Sequence, residues 1–206
     1  QRGTTIFFGI AGFIASYYLV GFVVRKRIQK VQNELEGIVK DGQQRIMRKI
    51  QQLQAKPGAN AKLLQRQVEN DQKVIFREAL AFIDNLERFR KWNLLMGRQI
   101  ATMRLQFLYQ LKEFEQVDDL LASRGLFKGP LLMEPMLAAM KMARQYKHGD
   151  IEGAEKTFKK RLKWFRGDRG TLLYALMSWI LVKTGKTEEA RELLLKGKEK
   201  TGDETL

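Results

Sequence analysis

Twenty consecutive residues, Thr5 to Val24, carry no charge. As a helix rising 1.5 Å per residue they would extend about 30 Å, the hydrocarbon thickness of a bilayer. A buried core helix of that length would show a polar face, and this stretch has none. A secretory signal would need a basic start, a shorter apolar run and a small-residue cleavage site. Here only Arg2 precedes the run, and Arg25-Lys26-Arg27 follows it directly. The sequence therefore predicts a single transmembrane helix within 1–24. Gly9, Gly12 and Ser16 share one face of it and are candidates for close helix packing in lipid. Arg25, Lys26, Arg27 and Lys30 are expected to meet anionic lipid headgroups. By the positive-inside rule they also place the bulk of the chain in the cytoplasm, at a bacterial-type inner membrane.

The next segment, 25–97, is expected to be a basic helical stalk. Ile28, Val31, Leu35 and Ile38 are spaced like the seam of a coiled coil, Gly42 interrupts the seam, and Ile46, Ile50 and Leu53 resume with an offset. Lys56-Pro57-Gly58-Ala59-Asn60 combines the strongest turn signals in the chain. A second stripe at helical spacing runs through Leu64, Val68, Asp71, Ile75, Phe82, Leu86 and Phe89. Helices over 28–55 and 61–92 would bury both stripes by folding into a hairpin, with Ile46, Ile50 and Leu53 facing Leu64, Val68 and Ile75.

Residues 98–206 repeat themselves. Tyr109-Gln-Leu-Lys-Glu-Phe-Glu-Gln-Val117 aligns with Tyr146-Lys-His-Gly-Asp-Ile-Glu-Gly-Ala154 and with Val182-Lys-Thr-Gly-Lys-Thr-Glu-Glu-Ala190. The step is 37 residues from Tyr109 to Tyr146 and 36 from Ala154 to Ala190. Each block reads as a helix, a tight turn and the start of a second helix. This half of the chain resembles the tetratricopeptide repeat. The resemblance implies that a large residue closes the first helix (Tyr109, Tyr146), that glycine opens the turn (Gly149, Gly185), and that a small residue packs where the second helix crosses (Ala154, Ala190). Lys112 and Val117 depart from that pattern in the first copy, and a generic bundle of helical hairpins is the alternative. The fold class expected is thus all-α: an N-terminal transmembrane helix, a long helical-hairpin stalk, and a TPR-like α-solenoid of about three helix-turn-helix repeats. Aligning the copies puts Thr102, Gln106 and Gln110, then Ala139, Ala143 and Lys147, then Ala175, Trp179 and Lys183 on one concave face. Of these, Gln106, Gln110, Lys147, Trp179 and Lys183 would suit an extended peptide or helix bearing an acidic group.

Reactive chemistry is sparse. The chain has no Cys and one His, so neither a thiolate site nor a His-rich metal site can be assembled. Gly185-Lys186-Thr187 lacks the upstream glycine of a phosphate-binding loop, since Ile180 holds that place. His148 reads as a helix-end residue, and the adjacent Asp118 and Asp119 diverge on a helix. No enzyme, no cofactor, no metal and no small-molecule substrate is expected. The net charge of +15 points to an anionic partner. Protein assembly through the repeat groove or the membrane helix is the function expected. A basic adaptor tethering nucleic acid to a membrane is the alternative, although no nucleic-acid-binding signature accompanies the charge.

Overall fold

A computed structural model describes the backbone of residues 2–54, 61–123, 128–165, 167–203 and 205; the side chains of 2–19 and 54 are outside the described set. Among the described residues the chain is helical and contains no strand. In order come α1 (Arg2–Gln54), α2 (Ala61–Ile83) with a 3-10 turn (Asp84–Phe89), α3 (Met96–Leu111), α4 (Phe114–Ala122), α5 (Pro135–Lys147) and α6 (Ile151–Leu162). A second 3-10 turn (Gly167–Gly170) leads into α7 (Thr171–Lys183) and α8 (Thr187–Thr201). Two compact units result, one of 1–117 with 123–129, the other of 118–122 with 130–206.

The first unit corrects the expectation of an N-terminal transmembrane helix. Among the described residues no helix is long and apolar enough to cross a membrane. The uncharged run does not stand as an element of its own, because nothing between Val24 and Arg25 breaks a helix. It opens a 53-residue helix that continues through the basic residues to Gln54. From Val20 onward α1 is amphipathic. Ile28, Val31, Leu35 and Ile46 are buried, while Arg25, Lys26, Arg27 and Lys30 are exposed, with Lys30 Nζ 4.0 Å from Glu34. Single-pass insertion in an inner membrane is accordingly not supported. Gly9, Gly12 and Ser16, expected as a packing face, lie outside the residues whose side chains are described.

α1 and α2 pack antiparallel, with Lys49 Nζ donating to Asp71 Oδ2 at 2.6 Å. Ile28, Val31 and Leu35 join Ala79, Ile83, Leu86, Phe89, Met96 and Ile100 in one apolar core. The seam glycine has a physical reason. A Cβ built on Gly42 would stand 2.6 Å from the Ile75 side chain, so the missing side chain of α1 is the socket for Ile75. Ile46 and Ile75 are buried beside it, whereas Ile50, Leu53, Leu64 and Val68 are only half-buried, and Lys56–Asn60 falls outside the described residues. α2 itself stops at Ile83, short of the 92 expected, and continues as the 3-10 turn. Arg104 of α3 closes this unit's polar rim, donating to Asp84 at 2.8 Å and reaching Glu87 at 3.2 Å.

In the second unit α5 pairs with α6 and α7 with α8, and α7 packs on both α5 and α6. Pro135 opens α5, where its missing N–H would have had no partner in any case. Asp150 caps α6 by accepting from the Gly153 amide at 2.9 Å. Ala138, Met142, Ala154, Phe158, Leu173, Tyr174, Met177 and Ile180 form the core. Thr157, buried among them, donates to Gln145 Oε1 at 2.8 Å, so its hydroxyl is satisfied.

Candidate functional site

The three aligned blocks end their first helices with one backbone geometry. Lys112 N–H donates to the Tyr109 carbonyl at 3.1 Å and Glu113 N–H to Leu108 at 3.0 Å. Gly149 donates to Tyr146 at 2.9 Å and Asp150 to Gln145 at 2.9 Å; Gly185 donates to Val182 at 3.1 Å and Lys186 to Leu181 at 2.9 Å. Each is a Schellman closure, which needs a left-handed residue just past the helix. Gly149 and Gly185 take φ of 75° and 82° there, and Lys112 takes 62°. Lys112 is the only non-glycine residue with positive φ among the described residues. The first copy thus departs from the others in residue type and not in conformation. Holding a side chain in that region costs about 1 kcal/mol relative to glycine. Lys112→Gly is therefore expected to stabilise the first unit by about 1 kcal/mol, read as a higher urea midpoint at unchanged m-value.

The aromatic residues of the candidate site lie on the helices that these turns close. In the second unit Tyr146, at the end of α5, meets Trp179 of α7 edge-on, with ring centres 5.2 Å apart and planes at 73°. Lys183, one helical turn after Trp179, lies with Nζ 5.7 Å from the indole centre. Trp179 is 48% exposed, so one part of the indole is packed on Tyr146 and the rest is presented outward. Lys147 and Lys183 are both exposed. Ala175 is exposed and Ala143 half-buried beside this stripe, but Ala139 is buried and so does not line it. In the first unit Gln106 lies on α3. With Met103 and Phe107 it borders a cavity of ≈ 630 Å³ whose other wall is α1, through Leu35, Val39 and Lys40. Gln110 is exposed on α3, and Thr102 donates back to the Arg98 carbonyl at 2.8 Å. Tyr109 stacks edge-on against Phe114 at 5.5 Å.

Ala154 and Ala190 are both buried in the core of the second unit. The positive character of that unit has a structural counterpart on α5 and α6. Lys141 is half-buried, and burial pushes its ammonium below the ordinary lysine range. Arg161 and Lys160 add repulsion, partly offset by Asp150.

One polar cluster escaped the sequence. Arg144 grips Asp118 with two parallel bonds, Nε to Oδ1 at 2.9 Å and Nη2 to Oδ2 at 2.6 Å. His148 Nε2 lies 2.7 Å from the same Oδ2. The Arg144 guanidinium, and secondarily His148, hold the Asp118 carboxyl below its usual range against the opposing effect of burial. The one histidine is thus a member of an ion cluster at the end of α5. Asp118 stands 26 residues before Arg144 and 30 before His148, a separation at which no local pattern signals contact.

Among the described residues no group of three or more His, Asp or Glu could hold a metal ion. Gly185-Lys186-Thr187 forms the α7–α8 turn with no strand before it, so it cannot cradle a phosphate as such loops do. No family model, curated protein or solved structure matches this chain. The likeness to tetratricopeptide repeats rests on the repeat spacing in the sequence alone.

Proposed function

We propose that this chain is an interaction scaffold of TPR-like helical hairpins that holds an acidic segment of a partner protein across α5 and α7. The observation that carries the reading is the Lys183–Trp179–Tyr146 stack. A half-exposed indole fixed by a half-buried aromatic neighbour is a pre-formed anchor, which loses little freedom on binding. Lys183 and Lys147 supply the charge that would select a carboxylate, and the chain's excess of 38 basic over 23 acidic residues would speed its approach. The role is binding and assembly, with no chemical step.

Selection of a displayed random-peptide library on the full chain tests this. Net-acidic peptides should be enriched, and their affinity should fall as salt is raised. Trp179→Ala should weaken the selected peptides at least about 30-fold, as expected for a central aromatic anchor. Lys183→Glu should remove the acidic preference. Recovery of the same peptides on the Trp179→Ala chain, or preferential salt-sensitive binding of an RNA oligonucleotide, would count against it.

A further inference from the structure

The 36-residue step between the two hairpins of the second unit shows what each surface is built to receive. On the first hairpin, Ala154 and Phe158 are buried in the core shared with α7, and Tyr146, Ile151 and Leu162, partly buried, pack against it. Phe158 meets Tyr174 edge-on at 5.5 Å, and Tyr146 meets Trp179. Thirty-six residues later stand Val182, Thr187, Ala190, Leu194 and Lys198. These residues, with Arg191 and Leu195, line an open groove of ≈ 320 Å³ on α7 and α8. Val182 is 49% and Leu195 61% exposed there. The surface that holds α7 on one hairpin is repeated on the next, where among the described residues of this unit nothing is seated on it.

We infer that this α7–α8 groove is a docking site for one amphipathic helix of a partner protein, seated as α7 seats on α5 and α6, with acidic residues flanking its apolar face. Charge decides the occupant. Where the covered hairpin has Glu155 and Leu162, the open one has Arg191 and Lys198, and no acidic residue lines the groove. A second copy meeting the same face across a two-fold axis would bring these cations against their own counterparts. A helix flanked by glutamate or aspartate would pair with both of them, while its apolar residues take the place over Val182 and Leu194 that Trp179 and Tyr174 take over Tyr146 and Phe158. This site does not depend on the Trp179 face.

The probe is a synthetic helical peptide with apolar residues at the spacing of Leu173, Tyr174, Met177 and Leu181 and glutamate at its outward positions. Binding to the full 206-residue chain is read by fluorescence anisotropy of the labelled peptide. Val182→Asp with Leu195→Glu should weaken it at least about tenfold. Arg191→Glu with Lys198→Glu, two exposed positions that leave the core alone, should reverse the preference toward a lysine-flanked version of the peptide. Trp179→Ala should change the affinity less than about twofold, which separates this groove from the peptide-binding face proposed above. No binding by the wild-type chain, or equal binding by the Val182→Asp, Leu195→Glu chain, overturns the inference. So does a wild-type dimer in sedimentation that Leu195→Glu dissolves, because the face would then belong to a second copy.

Discussion

Ala154→Leu is expected to destabilise the second unit by about 3 kcal/mol, and Ala190→Leu by only about 1 kcal/mol, although the two alanines occupy equivalent repeat places. Both are buried, but for different reasons. Ala154 is fully enclosed, with α7 packed over the hairpin that carries it, so three added carbons must displace neighbouring side chains or backbone. Ala190 packs toward α7 on one side and borders the open α7–α8 groove on the other, where added carbons can turn outward. Urea unfolding followed by tryptophan fluorescence in a Trp92→Phe background would read the second unit through Trp164 and Trp179. Equal losses for the two substitutions would mean that the groove is not open space, which would also weaken the helix-docking inference.

Asp118→Asn should cost the second unit about 2 kcal/mol near neutral pH, the range for a lost hydrogen-bonded charge partner. It should also flatten the acid limb of the stability profile. Asp118 is held below its unfolded value, so its contribution is complete above the unfolded carboxyl's pKa of about 4 and disappears as pH falls through the lower folded value. In the wild-type chain the urea midpoint should therefore drop below about pH 4 more steeply than in the Asp118→Asn chain. Parallel profiles would show that the Arg144–Asp118 pair does not contribute in solution.

The helical class, the repeat step and the turn places of Gly149 and Gly185 could all be read from the residues, because local rules govern them. Glycine past a helix end and a recurring tyrosine are signals confined to a few positions. Three features were hidden for physical reasons. The N-terminal uncharged run looked like a separate element because composition changes sharply at Arg25, yet backbone continuity depends on breakers and there is none. The left-handed turn at Lys112 was masked by its residue type, since lysine there signals nothing about φ. The Asp118–Arg144–His148 cluster arises from packing between segments distant in sequence, and a search for adjacent carboxylates or paired histidines cannot find a carboxylate bridged to a guanidinium and an imidazole. Of the residues aligned on one face, Trp179 and Lys183 lie together because they are one helical turn apart, a local relation, whereas the burial of Ala139 depends on packing between helices.

The socket that Gly42 makes for Ile75 has a mechanical consequence. Two long amphipathic helices with regularly spaced apolar residues can in principle slide past each other by a turn, about 5.4 Å, and find nearly equivalent contacts. Ile75 prevents this, because one turn along α1 in either direction its position falls against Ile38 or Ile46, whose side chains fill the space that glycine leaves empty. The α1–α2 pair therefore behaves as a latch with one seated position. Force applied along α1 should be transmitted through the hairpin with little slip, until the peg leaves its hole.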